Sequence, residues 1–266
     1  LAQDEVERAA VEFTAVREMR PDGEFRVDAA SNIVFAYEQI LKAAIANGEI
    51  EELSIKTSSE RQEGVEVVAL EIPPLHKQYI DAIDILADIN PQEENLPNFF
   101  YTTAQTYQGF DHLDEALKRF HHVLETYPQN AETASYSVES LVDLYQTKRD
   151  YRTVAEFTKK IMDDPNFSEN KELLTSLQEY RTGAQFLVAV DLAKTDKHED
   201  ASALYVALVD ENPAYANCDA ALNNAAVSFE KSQRFDSAMR MYQRIVDDYP
   251  QSPRADGSLF RVGVNA

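Results

Sequence analysis

The chain has 266 residues, 44% hydrophobic and 10% aromatic, enough to bury one extended core or two compact ones. The 47 Asp and Glu against 25 Lys and Arg leave a formal charge of -22, which repels nucleic acid and anionic lipid and excludes polyanion binding as a function class. No run approaches the roughly 18 apolar residues of a membrane span, no signal-peptide pattern is visible at residues 1 to 20, and the single cysteine, Cys218, excludes an internal disulfide and a cysteine-based zinc cluster.

In chain order, Asp4 to Met19 place Val6, Ala9, Phe13 and Val16 at helical spacing, and Val27 to Ala46 do the same with Ile33, Tyr37, Ile40, Leu41 and Ala44. Asn47 and Gly48 stop the second helix and open a 26-residue insertion, 47–72. Within it ELSIKTS (52–58) and VEVVALEI (65–72) are β-prone, and RQEG between them can turn a hairpin; a disordered loop is the alternative. Leu75 to Ile89 form a third helix, with residues 27–46 as its partner. Amphipathic segments then alternate with short polar turns. The first of each pair runs over Asn98–Gln108, Ala131–Lys148, Glu169–Thr195 and Tyr215–Ser232, the second over Leu113–Tyr127, Tyr151–Asp163, Glu199–Glu211 and Phe235–Tyr249.

Prolines give this alternation a period. Pro91, Pro128, Pro165, Pro213 and Pro250 are separated by 37, 37, 48 and 37 residues, and the long interval is 37 plus 11. Eleven residues make about three helical turns, so the insertion lengthens a helix without rotating its buried face. Leu173, Leu177, Tyr180, Ala184, Leu187 and Val188 accordingly predict one long helix with a single stripe. Each proline lacks the donor a continuing helix needs and closes a helical hairpin.

The paired segments resemble tetratricopeptide repeats. The first repeat carries the motif as Phe100, Thr103, Ala104, Tyr107, Ala116, Phe120, Val123 and Pro128; the second as Val138, Leu141, Val142, Tyr145, Val154, Thr158, Ile161 and Pro165. The third fits more loosely, with Gln185, Val188, Ala189, Leu192, Ala201, Tyr205, Leu208 and Pro213; the fourth fits best, with Leu222, Ala225, Ala226, Phe229, Ala238, Tyr242, Ile245 and Pro250. Leu259, Val262 and Gly263 are similar to the start of a fifth, and the chain is expected to continue into further repeats. The resemblance implies an all-α, right-handed superhelical solenoid over 97–266, preceded by a divergent helical region over 1–96 that carries the irregular or β-hairpin insertion.

Chemistry has little visible apparatus. Adjacent His121 and His122 point about 100° apart on a helix and cannot chelate one ion comfortably, and His112 lies just before that helix. The pairs Asp163 with Asp164 and Asp247 with Asp248 read as solvated helix ends, and Cys218 as a small packing residue. HExxH, GxSxG, P-loop and GxGxxG patterns are missing from the sequence. The expectation is a non-enzymatic chain with no cofactor and no metal.

What remains is the inner, concave face that the resemblance assigns to the first helices, where such repeats take up a partner segment. Its positions are Asn98, Tyr101, Gln105 and Gln108, then Tyr136, Glu139, Asp143 and Gln146, then Phe186, Val190, Asn223, Val227 and Glu230. Aromatic and amide groups suit peptide recognition. Tyr101, Gln105, Ser140, Gly183 and Leu187 stand where some relatives grip a C-terminal carboxylate with basic residues, which argues against that clamp. The acidic charge favours a protein or peptide partner of some basic character, with no nucleic acid and no direct membrane insertion. Three readings follow: a non-catalytic interaction scaffold, a recruitment module for a catalytic domain elsewhere in a longer protein, and a structural spacer. The joint YPQSPRADGSLFRVG (249–263) is similar to bacterial cell-envelope repeat proteins of the outer-membrane assembly and Tol-Pal-associated types. The stretch from Pro73 onward looks like gliding-motility-associated ones. This implies a periplasmic or outer-membrane-associated location, with the cytoplasm as alternative.

Overall fold

The computed structural model describes residues 2–19, 23–62 and 64–265, and among these every regular element is helical. The chain forms two compact units, 1–147 and 148–266. The first holds α1 (Ala2–Met19), α2 (Arg26–Ala46), α3 (Pro74–Ile89), α4 (Leu96–Gly109), α5 (Leu113–Thr126) and α6 (Ala131–Thr147). The second holds α7 (Tyr151–Met162), α8 (Lys171–Lys194), α9 (His198–Glu211), α10 (Cys218–Lys231), α11 (Phe235–Asp248) and α12 (Ala255–Asn265). Within each unit every helix packs on the next one in the chain, so each unit is a stack of helical hairpins and the all-α class read from the spacing holds.

The turns inside the hairpins share one geometry. Asp111, Asp196 and Gln233 have φ of 61°, 58° and 59°, each just past the end of a first helix. After α10, the Gln233 amide donates to the Glu230 carbonyl and the Arg234 amide to that of Phe229, and the turns after α4 and α8 repeat both bonds. This is the Schellman arrangement, which satisfies the orphan carbonyls of a helix end and reverses the chain. Second helices stop differently. Tyr127, Asn212 and Tyr249 each donate a last backbone bond to the residue four before, and Pro128, Pro213 and Pro250 follow immediately.

The core of the second unit is built on small residues. Ala189, Ala201, Ala221, Ala225, Ala226 and Ala238 are buried together with Tyr205, Leu208, Leu222, Phe229, Tyr242 and Ile245. Cys218 is buried in the same cluster and points its thiol at the Asn212 carbonyl, 3.2 Å away, as a packing residue. In the first unit, Ile33, Ile83, Leu86, Leu96, Phe100 and Val123 form a second cluster. Arg119 of α5 ties three helices around it: its guanidinium makes two bonds of 2.7 and 2.6 Å to the Asp84 carboxylate of α3 and lies 5.6 and 5.5 Å from the ring centres of Phe100 and Tyr107 of α4.

Several facing assignments need correction. On α1 the residue most buried is Ala10, and Val16, about 120° round the helix from it, is exposed. The long helix α8 is continuous, but it carries no single stripe. Leu173, Leu177 and Ala184 are buried on one side, Thr182 and Ala189 nearly opposite, because α8 packs on both α7 and α9; Tyr180 and Leu187 fall at the margin and are exposed. On α12 Ser258 is buried and Leu259, about 100° away, is exposed. The insertion takes the irregular form and not the β-hairpin: among the described residues it has no strand and one 3-10 turn, Ser58–Glu60, which packs on α6. Glu63 of the expected RQEG turn lies outside the described residues.

At the joint before α12, the Asp219 carboxylate of α10 accepts from the Ser252 hydroxyl, from the Arg254 guanidinium at 2.8 Å and from the Ala220 amide. Partial burial alone would raise its pKa; the hydrogen bonds from Ser252, Arg254 and Ala220, with the Arg254 charge, outweigh that and hold it below the ordinary carboxylate value.

Three stability predictions follow from this packing. Ala226 and Ala238 are 0% and 2% exposed, so Ala226→Trp or Ala238→Trp should each cost about 1 to 3 kcal/mol by overpacking in urea unfolding, while Phe235→Ala, at a residue 62% exposed, should leave the midpoint within error. Gln233→Val should destabilise by about 1 to 3 kcal/mol because a β-branched residue resists positive φ, whereas Gln233→Gly should not; equal effects would contradict the turn geometry. Because the Asp219 pKa is depressed on folding, its contribution is present above the unfolded carboxylate pKa, near 4, and is lost as pH falls through the lower folded value. Unfolding curves between pH 7 and pH 2 should show that loss in the parent chain and a flatter dependence in Asp219→Asn.

Candidate functional site

The inner-face positions of the first unit come together on α4 and α6. Tyr101 and Tyr136 lie with ring centres 6.1 Å apart, and Tyr101 is backed by Phe120 at 5.5 Å. The Gln105 amide donates to the Tyr101 hydroxyl at 3.2 Å, and the Asn98 side-chain oxygen accepts from the Thr133 hydroxyl at 2.7 Å. Burial, then the neighbouring Glu139 and Tyr136, raise the Tyr101 pKa against an opposing hydrogen bond with Ser140. Tyr136 is 48% exposed and Glu139 is exposed beside it. This end of the face is an open aromatic ledge with polar edges.

The other end is covered. Gln108 is only 4% exposed and donates to one oxygen of Asp143, whose other oxygen accepts the backbone N–H of Ser58 at 2.7 Å. The Ser58 hydroxyl donates to the Gln146 side-chain oxygen at 3.3 Å. Two inner-face residues predicted for an external ligand, Asp143 and Gln146, thus hold the chain's own insertion, and a third, Gln108, supports Asp143. Two further anchors flank that contact. Arg61 reaches Asp111, in the turn after α4, at 2.6 Å with both side chains largely buried, and the Leu53 side chain lies over Gly109, where a Cβ would collide with it. Leu53 and Ile55 are half-buried between exposed Glu52, Ser54 and Lys56, the alternation of an extended strand lying on a surface. Farther on, the Leu70 amide donates to the Phe110 carbonyl at 2.9 Å, the Leu70 carbonyl lies 2.7 Å from His112 Nε2, and Ile72 is buried.

Leu53, Ser58, Arg61 and Asp111 were not foreseen from the sequence. Gly109, the last residue of α4, offered only a weak signal, since a glycine at a helix end reads as a stop; its φ is not positive, and the space left by its missing side chain is taken by Leu53. The histidines take other roles. His121 Nε2 lies 2.6 Å from the Tyr145 hydroxyl, and His122 packs edge-on against Phe100 at 4.6 Å. Burial, then Arg119, lowers the His122 pKa.

In the second unit the predicted positions divide. Phe186 packs edge-on against Tyr205 at 5.5 Å and joins the core cluster with Val190. Val190 and Val227 also line an open cavity of about 320 Å³ with Tyr205, Asn224, Lys194 and Lys231. Asn223 is half-buried, and Glu230 accepts from the Tyr242 hydroxyl at 3.2 Å and the Arg261 guanidinium at 2.9 Å.

A search of curated proteins returns no match. Among solved structures, BtubC (BKLC) from P. vanneervenii is similar over 94% of this chain and 92% of its own at 9% identity and a TM-score of 0.36. The apo form of RapI is similar over 97% of this chain and 76% of its own, at 13% identity and the same TM-score of 0.36. The tetratricopeptide repeat family model matches residues 220–252, the span of α10 and α11. That hairpin, whose alanines and closing proline fit the motif most closely, is a tetratricopeptide repeat.

Proposed function

We propose that the chain is a non-catalytic scaffold that holds a segment of a protein partner on the inner face of its first unit, at the ledge formed by Tyr101 and Tyr136. One observation carries this reading: two tyrosines from different helices lie 6.1 Å apart, one backed by the core and the other half-exposed, with Asn98, Gln105 and Glu139 around them. A rigid aromatic pair offers large contact area at low entropic cost and paired amides offer direction, as peptide grooves require. Tetratricopeptide repeats generally mediate protein–protein interaction, and one is present. A partner with a basic segment suits the charge of -22 and the exposed Glu139. As part of the same proposal the partner belongs to a bacterial envelope assembly; the support is the resemblance of the joint 249–263, and cell fractionation tests it.

A photo-reactive residue at position 136 of the full-length protein should capture one defined partner in its source cell, and the same residue at exposed position 235 should not. With that partner purified, Tyr136→Ala should speed dissociation roughly thirtyfold, a loss of about 2 kcal/mol, without changing thermal unfolding. Raising salt should instead slow association several-fold and leave dissociation nearly unchanged, because diffuse charge acts on encounter. Equal capture at 136 and 235, or unchanged dissociation of the tyrosine variant, removes the ledge as the binding site.

A further inference from the structure

The insertion does more than bridge α2 and α3. Its middle part lies along the far end of the face whose open end carries Tyr101 and Tyr136, and it is held there by three kinds of contact. The Asp143 carboxylate, oriented by Gln108, takes a backbone N–H of the segment at Ser58, and Gln146 takes the Ser58 hydroxyl. Asp111 takes the guanidinium of Arg61. The space left by the missing side chain of Gly109 takes Leu53. A carboxylate for a main-chain donor, a second carboxylate for a basic side chain and a slot for an aliphatic one are the parts of a peptide receptor. The segment presents its groups around one tight turn, which Thr57 closes by donating its backbone N–H and its hydroxyl to the Glu60 carboxylate at 2.9 and 2.8 Å.

We propose that Leu53–Arg61 is an intramolecular ligand of the inner face, and that the same site accepts an external extended segment of matching chemistry: an aliphatic side chain, then a hydroxyl residue, then an arginine, at the spacing of Leu53, Ser58 and Arg61. The proposal rests on the reading of this face as a partner site and extends it, since the far end is then open to a partner only when the tethered copy is displaced. A tethered segment competes at an effective concentration of order millimolar, so a free peptide at lower concentration stays excluded from the parent chain.

The test uses the full chain and a synthetic peptide of residues 50–62. Replacing Leu53–Arg61 by a Gly/Ser segment of equal length keeps the loop closed while removing its anchors. The peptide, followed by fluorescence anisotropy, should bind this variant saturably and at least tenfold more tightly than the parent, and adding Asp143→Ala should weaken it by tenfold or more. A replaced chain with parental helicity and thermal unfolding that takes up no peptide, or equal binding to the parent, overturns the proposal. If the replaced chain does not fold, hydrogen exchange decides: in the otherwise intact chain Asp143→Ala should speed exchange over Thr57–Arg61 at least tenfold, and unchanged exchange overturns the proposal. Failure here leaves capture at position 136 standing, whereas loss of that capture leaves peptide binding standing, so the two readings fail separately.

Discussion

The structure depends on how closely successive helices can approach. A helix of a repeat cannot cover its apolar side alone, and the stack closes only if each backbone comes near the next. Alanine makes that possible at the joints from α8 to α11: Ala189, Ala201, Ala225, Ala226 and Ala238 share one core, with aromatic residues such as Tyr205 and Tyr242 filling the space between pairs. Such a core derives its order from shape as much as from apolar area. Small residues bury little surface themselves, so their contribution is geometric, and larger side chains there force the helices apart rather than adding burial.

Close approach also requires the chain to reverse within a few residues, and here the protein accepts strain. Asp111, Asp196 and Gln233 occupy left-handed backbone that glycine would enter more readily, each at a cost of order 1 kcal/mol. At Asp111 a compensation is visible, because the carboxylate held out by that turn pairs with Arg61 of the insertion. A glycine would relax the backbone and lose the anchor. Strain and recognition meet in one residue, so its identity is set by the contact with the insertion.

The hairpins were legible because their signals are local and periodic. Proline spacing, the small residues and the helical stripes each depend on neighbours in sequence, and the observed helix ends fall within a few residues of the predicted ones. Faces were less legible where a helix is packed on two sides: Tyr180 and Leu187 look like core on α8 because a stripe says how apolar positions align, not how many neighbours the helix has. The insertion was least legible. Its β-prone stretches find hydrogen-bond partners far along the chain, Ser58 at Asp143 and Leu70 at Phe110, and no period in the sequence links residues so distant. The spacing therefore presents the inner face as uniformly open, although three of its eight first-unit positions are engaged at the insertion.

That engagement has a physical logic. Gln108 and Asp143 are polar groups on a largely covered surface, and such groups are costly unless each donor and acceptor is paired. The interior of a folded helix offers no spare main-chain donors to pair with them; an extended segment offers a free amide or carbonyl at nearly every residue. A face lined with amides and carboxylates is thus matched to irregular chain, whether its own or another's. The tyrosine ledge is different in kind, since an exposed aromatic pair leaves no polar group unpaired and can stay open to water. The two ends of one face therefore differ in what an empty site would cost. The amide end is filled from within, and the aromatic end can wait for a partner, which ties the position of the insertion to the chemistry of the residues beneath it.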